Sequence, residues 1–308
     1  VIGLLFFFHR SAPLKAPAFE YHRPSTVEEV TALLAALDDC RLLAGGQSLL
    51  PMLNFRVVSP AHVVDLNHVP ELAGIEARAD GVSFGAMTRQ RDIELSPLVA
   101  SRLPLMAEAI REVGHRQTRN RGTIGGSLCH LDPSAELPVV AAVMDASLRV
   151  RSHSGERWLP FGAFCEGYMT SALAPDEVLC EIRFPIWPAA HGWSFMEFAR
   201  RKGDYAIVSI AALAELGRDG RVQRCAIALG GIGAAPVRVA AAEALLAGGV
   251  LDTAAITQAA ELCAALPAGS DPAVPAWYRQ QLAGVLARRA LAQVALRACD
   301  GQFVKDAR

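Results

Sequence analysis

The hydrophobic pattern changes period several times along the chain, and the changes mark its elements. Val27, Val30, Leu33, Leu34 and Leu37 recur at helical spacing behind Pro24-Ser25-Thr26-Val27-Glu28-Glu29. There Ser25 or Thr26 suits an N-cap and glutamates fill the first turn. The short run Arg41 to Ala44 predicts a strand that feeds directly into Gly45-Gly46, and His62 to Leu66, after a proline, predicts another. Ile75 to Arg78 and Val82 to Gly85 flank Asp80-Gly81, a strong hairpin signal. Helical spacing returns from Leu105 to Val113, between Pro104 and Gly114, and again around Val139 to Val143. Between these, His115 to Arg121 is polar and basic and reads as a loop leading to a second glycine pair. Leu148 to Arg151 and Val178 to Phe184 read as strands.

Pro185-Ile186-Trp187-Pro188 reads as a linker, which places a boundary near residue 190. Beyond it, Trp193 to Ala199, Ile207 to Leu216 and Val222 to Leu229 predict an antiparallel three-stranded sheet, with Asp219-Gly220 as a hairpin turn. Three helices follow, at Pro236 to Leu246, Thr253 to Leu266 and Trp277 to Arg297. The expected division is 1–17 as an extension, 18–190 as the first domain with subdomains 18–75 and 76–190, 191–300 as the second, and 301–308 as a tail. Val1 to Phe8 is apolar but far shorter than the roughly 20 residues of a membrane-spanning helix. It reads as a non-native or upstream-extended start rather than a signal sequence.

Composition narrows the function classes. With 52% hydrophobic residues and a mean hydropathy of +0.26, the 308-residue chain is long and apolar enough to bury a real core. A formal charge of −1 and 6% aromatics give neither the basic field nor the stacking platform that nucleic-acid binding needs. The seven cysteines are scattered without a Cys-x-x-Cys pair, so no zinc or iron–sulfur ligand set is expected. They read as reduced thiols, mostly small buried hydrophobes, in a cytoplasmic protein. His115 and His130 read as surface residues, and no catalytic triad or metal site is expected.

The candidate chemistry lies in two glycine pairs. In Ala44-Gly45-Gly46-Gln47-Ser48-Leu49, a strand ends in glycines that allow positive φ and close approach to a ligand. Successive amides can then converge on an anion, and Ser48 can add a hydroxyl. Thr123-Ile124-Gly125-Gly126-Ser127 repeats the combination, next to another expected strand, and two such loops suit two linked phosphates. Neither matches a Gly-x-Gly-x-x-Gly fingerprint, and Gly231-Ile232-Gly233-Ala234-Ala235-Pro236 fails at its last position. A Rossmann nicotinamide site and a P-loop are therefore both disfavoured. Bulky substitution at Gly45 or Gly126 is expected to abolish ligand retention in a folded chain, by blocking backbone approach to phosphate.

These motifs, followed by Asp132-Pro133-Ser134-Ala135-Glu136-Leu137-Pro138 and later Arg200-Arg201-Lys202-Gly203-Asp204-Tyr205-Ala206, resemble the FAD-binding medium subunit of the molybdenum hydroxylases. The intervening Pro60 to Asn67 and Gly85 to Thr88 belong to the same resemblance, which spans roughly residues 18 to 300. It implies an α+β fold: a two-part FAD-binding domain of the vanillyl-alcohol oxidase (PCMH) type, then a small domain like the C-terminal one of carbon monoxide dehydrogenase flavoproteins. It also implies that Ala44 to Leu49 and Thr123 to Ser127 contact the FAD pyrophosphate. Glu136, with Asp132 as second candidate, would bond cofactor hydroxyls, Tyr205 would lie near the flavin ring, and Arg201 or Lys202 would offset charge on the reduced flavin. The implied partners are a large molybdenum-cofactor subunit, a small 2Fe–2S subunit and an external electron acceptor, with molybdenum and iron held only by those subunits. Two alternatives stand beside this electron-transfer role: a stand-alone FAD oxidase or dehydrogenase of the vanillyl-alcohol oxidase type, and a non-catalytic nucleotide-binding protein.

Overall fold

The computed structural model describes residues 15–306, and the apolar run Val1 to Phe8 lies outside them. The first unit is a three-stranded parallel sheet in the spatial order Glu20–His22, His62–Asp65, Cys40–Leu43. The helix Val27–Ala36 is capped by Thr26, whose hydroxyl accepts the Glu29 amide at 3.2 Å, while the Glu29 carboxylate accepts the Ser25 amide at 2.6 Å. Its apolar stripe, Val27, Val30 and Leu34, forms a core with Val64, Leu66, Leu72 and Met87.

A five-stranded antiparallel sheet follows, ordered Ile75–Ala77, Gly81–Gly85, Val178–Pro185, Ser147–Ser152, Gly155–Pro160. The expected hairpin at Asp80-Gly81 is present, and Gly155–Pro160 is a strand the pattern did not announce. Helices Pro104–Ala109, Ile124–His130 and Glu136–Val143 cover this sheet with a continuous core that includes Phe84, Met106, Leu128, Val140 and Phe184.

Two local expectations are corrected. The helix from Leu105 ends at Ala109 rather than Val113, the chain continuing through turns to Gly114 at φ +48°. Residues 115–121 are not a loop, because Arg116–Arg121 is helical. That helix is polar all round, so it carries no apolar period to read. It is fixed from outside by the Arg119 guanidinium, which donates to Glu94 at 2.8 and 3.1 Å and to the Val113 carbonyl at 3.0 Å.

The last unit pairs Gly192–Phe198, Val208–Leu216 and Val222–Gly230 antiparallel and adds a two-residue fourth strand, Val237–Arg238. Helices Ala240–Leu246, Thr253–Ala264 and Ala276–Asp306 complete it. Along Val208–Leu216 the side chains alternate between two cores. Ala211 and Leu213 join the core of the preceding unit, while Ile210, Ala212 and Ala214 join that of the C-terminal helices. The chain just ahead of this strand carries Tyr205, whose side chain reaches Ser48. Among the described residues no helix is long and apolar enough to cross a membrane.

Candidate functional site

The two glycine pairs, almost 80 positions apart in sequence, lie back to back. A Cβ built on Gly45 would fall 2.2 Å from the Arg121 carbonyl oxygen and 2.7 Å from Gly122 Cα. One built on Gly126 would meet Ala44 Cβ at 3.5 Å. The space beside Gly45 is thus filled by the chain's own second loop, so its lack of a side chain serves loop-to-loop contact first. Gly46, at φ +73°, makes the turn after the strand.

The loops differ in what they offer a ligand. The amides of Gly46, Gln47 and Ser48 donate to no group among the described residues, although the Gly46 and Ser48 carbonyls accept the Leu50 and Met52 amides and the Gln47 side chain donates to the Gly45 carbonyl. Successive unpaired amides at the end of a strand suit an anion. In the second loop the donors are already used. Ile124 donates to the Thr88 carbonyl, Gly125 to the Ala86 carbonyl at 2.8 Å, and Gly126 to the Thr123 hydroxyl at 3.0 Å. The pair does not sit beside a strand, as the pattern suggested, but forms the first turn of the helix Ile124–His130 with Thr123 as N-cap. What it presents outward is the half-buried Gly126 and the Ser127 side chain, while Ile124 and Gly125 are buried.

Two side chains that sequence reading left without a role tie the loops together. Asn67 donates to the Ala44 carbonyl at 3.0 Å and to Asp65, and its own oxygen accepts from Arg89 at 2.5 Å. Arg89 also donates to the Arg121 carbonyl at 2.5 Å. Asp65 accepts from the Tyr21 hydroxyl at 2.5 Å. Burial alone would raise the Asp65 carboxyl, but the hydrogen bonds from Tyr21 and Asn67 outweigh it and hold the group below its ordinary value. Asn67 closes the Asp-Leu-Asn run and Arg89 follows Gly-Ala-Met-Thr. Both stretches were visible as motifs, but their bracing geometry requires the folded chain.

The C-terminal motif reaches the same place. The Tyr205 phenol lies against the Ser48 side chain, a contact that lowers its pKa. Surrounding protein and the Asp132 and Glu136 carboxylates push it the other way and prevail, so the phenol stays protonated through neutral pH. Gly203, at φ +87°, gives way to the His115 ring, which would lie 2.3 Å from an added Cβ. Arg279 of the long C-terminal helix donates at 2.6 Å to both the Ile207 and Gly231 carbonyls and pins the strand ends behind Tyr205.

The remaining candidates are placed less uniformly. Asp132 accepts the Ser134 amide at 2.9 Å in a turn ahead of the helix that starts at Glu136. Glu136 is only 4% exposed, and burial together with Asp132 and Glu112 pushes its carboxyl up to about 7. Glu197 is pushed up to about 8 by burial and by Glu136 and Glu112, and one of its oxygens is buried without a partner among the described residues. Arg201 pairs with Asp204 at 3.1 Å, whereas Lys202 is exposed and has no hydrogen bond or ion pair among the described residues. Of the cysteines, Cys180 and Cys263 are buried and Cys299 is exposed, with the rest between, and none is in a disulfide.

This geometry can be set beside known proteins. Residues 17–187 match the model of the FAD binding domain in molybdopterin dehydrogenase, and residues 193–294 that of the CO dehydrogenase flavoprotein C-terminal domain. The chain is 39% identical to the 6-hydroxypseudooxynicotine dehydrogenase complex subunit alpha of Paenarthrobacter nicotinovorans, covering 92% of this chain and 97% of that protein. It is 37% identical to the carbon monoxide dehydrogenase medium chain of Hydrogenophaga pseudoflava, covering 89% and 96%. Among solved structures, carbon monoxide dehydrogenase from Hydrogenophaga pseudoflava superposes with a TM-score of 0.89 at 38% identity, over 92% of this chain and 99% of that one. Quinoline 2-oxidoreductase from Pseudomonas putida 86 gives 0.88 at 38% identity, with the same coverage. Matches to both domain models in order, with near-complete coverage of the relatives, mean that this chain belongs to the FAD-binding medium subunits of the molybdenum hydroxylases, a family of oxidoreductase flavoproteins.

Proposed function

We propose that this chain holds FAD with its pyrophosphate between the two glycine loops and relays electrons from 2Fe–2S centres on a small partner subunit to an external acceptor. The observation that carries the reading is the run of amides at Gly46, Gln47 and Ser48 that are unpaired among the described residues, in a loop whose Ala44 lies beside Gly126. A bound flavin supplies the ability to take electrons singly and release them in pairs. The chain's part is binding, orientation and electrostatics. Amides 46–48 and the Ser127 hydroxyl would receive phosphate oxygens, and Asn67 and Arg89 keep the two loops in register. Tyr205, a neutral hydrogen-bonding phenol resting on Ser48, would mark the inner end of the cofactor. Asp132 would accept from cofactor hydroxyls. Glu136 would serve there as a neutral acid rather than a carboxylate below about pH 7. Lys202, exposed on the same loop as Tyr205, would approach a reduced anionic flavin.

Substrate oxidation would then belong to a large molybdenum-cofactor subunit. The relatives named as complex subunits and medium chains favour this reading over a stand-alone oxidase. A division near residue 190, with a further one near residue 75, separates the cofactor-holding part from the C-terminal part that contributes Tyr205. The test is spectroscopic. The purified chain, stripped of flavin and titrated with FAD, should recover one flavin per chain with its visible absorbance. In the assembled complex that absorbance should bleach when substrate reduces the iron–sulfur centres. Stoichiometric FAD without bleaching would remove the relay role, and failure to take up FAD in the complex would remove the cofactor assignment.

A further inference from the structure

Away from the glycine loops, the parallel register of the first sheet brings three ligand-bearing side chains together. Glu20 is paired with His62 across adjacent strands, and His22 lies two residues on, on the same side of its strand. His22 Nε2 is 3.1 Å from His62 Nδ1, and the Glu20 carboxylate oxygens lie 3.8 Å from His22 Nε2 and 3.7 Å from His62 Nδ1. All three donor atoms fall within 4.8 Å of one another. A tetrahedral zinc ion with bonds of about 2.0–2.1 Å separates its ligand atoms by roughly 3.3 Å. The three spacings bracket that value, so small side-chain adjustments complete one face of such a tetrahedron. The histidines hold their position because their side chains are only 15% and 20% exposed, whereas Glu20, at 68%, leaves the fourth position open to water. Cys40, the register partner of His62 on the other side, turns its thiol to the Leu37 carbonyl and stands apart.

We infer that Glu20, His22 and His62 form a binding site for a divalent cation of the zinc class, which clamps the edge strand Glu20–His22 to the sheet. Two imidazole nitrogens and one carboxylate match the borderline donor set zinc prefers and fit calcium or magnesium poorly. The clamp also has a mechanical consequence. On the opposite face of the same strand Tyr21 holds Asp65, which holds Asn67, which holds the first glycine loop. No spacing along the chain marks these ligands, because 40 positions separate the two histidines and only the strand pairing joins them.

The experiment uses the full chain, freed of metal by a chelator and titrated with zinc chloride by calorimetry, with zinc content after dialysis measured by mass spectrometry. One zinc per chain is expected. His22→Asn and His62→Asn should each weaken it by at least the roughly 10–100-fold that loss of even an outer partner of a ligand costs. His153→Asn, a surface change elsewhere, should leave it intact. Circular dichroism establishes that each variant is folded, and Glu20→Gln, at an exposed position, provides a variant with little reason to misfold. Zinc binding that is the same in wild type, His22→Asn and His62→Asn would overturn the assignment, as would absence of binding by the wild type. In either case the 3.1 Å contact is a hydrogen bond between the two rings and nothing more.

Discussion

Two glycines that look equivalent in sequence should fail differently when given a methyl group. At Gly45 the new carbon would sit 2.2 Å from a backbone oxygen and 2.7 Å from a backbone carbon of the second loop. Neither atom can rotate away, so the loops must separate by about 1 Å to restore ordinary contact. Overpacking of this kind typically costs about 1–3 kcal/mol. The strain falls on the empty protein as well as the loaded one, because both clashing partners belong to the chain. At Gly126 the nearest atom is the Thr123 hydroxyl, at 2.8 Å, which is side chain and can yield. Yielding weakens its cap to the Gly126 amide, a loss of about 1 kcal/mol. Gly126 also faces the proposed ligand. Thermal unfolding of flavin-free and flavin-loaded protein, with an FAD titration for each variant, separates the cases. Gly45→Ala should lower the melting temperature of the flavin-free chain by several degrees and weaken FAD as a consequence. Gly126→Ala should lower the flavin-free melting temperature by no more than about 2 °C and lose more FAD affinity than that destabilisation accounts for. A Gly45→Ala protein as stable as wild type without flavin would refute the loop-contact argument.

Other outcomes follow from the bracing and the buried acids. Asn67→Asp keeps the acceptor for Arg89 but sets a carboxylate against the Ala44 carbonyl and Asp65. It should cost about 1–3 kcal/mol in stability, seen by urea denaturation, and weaken FAD in parallel. Tyr205→Phe removes the contact with Ser48 and should raise the FAD dissociation constant by a few-fold to roughly tenfold. Ser48→Ala added to it should cost little more, and full additivity in that double-mutant cycle would mean the two side chains do not cooperate. Glu136 and Glu197 are raised from an ordinary 4.5 to about 7 and about 8, so the folded chain binds more protons than the unfolded one between those values. Their contribution is whole below about pH 4.5 and is lost as pH rises through the folded values, at up to about 1.4 kcal/mol per pH unit per group. Glu136→Gln should flatten the fall in urea stability between pH 5 and 7, and an unchanged slope would show that this carboxyl is ionised in the fold.

What could be read from the sequence was whatever is written in local periodicity. The strand Cys40–Leu43 running into Gly45, the hairpin at Asp80-Gly81 and the three long strands beyond residue 190 all announce themselves through alternation and turn residues. The helix Arg116–Arg121 does not, because its stabilising partner, Glu94, lies 25 residues away and no apolar stripe records it. Gly155–Pro160 escaped for a related reason. It is an exposed edge strand whose burial pattern shows no alternation to detect. Glycine motifs told that backbone had to come close to something. They could not tell whether that something was a phosphate or the chain itself, and at Gly45 it is first the chain itself.

The same limit explains how the site works as a unit. Tyr21 donates to Asp65, Asn67 reaches from Asp65 to Ala44, and Arg89 spans from Asn67 to Arg121, so one series of hydrogen bonds runs from the edge strand to the backs of both glycine loops. Every link but the Asp65–Asn67 step joins residues at least 20 positions apart. Separate motifs are joined to one another through this series. The loop amides can stay unpaired and poised for an anion because carbonyls and side chains behind them carry the structural load. A break at Asn67 should therefore act at both loops together, while a change confined to Ser127 should alter ligand affinity and leave stability alone. Equal stability losses from the two changes would mean that each loop holds its own shape and that the bracing is incidental.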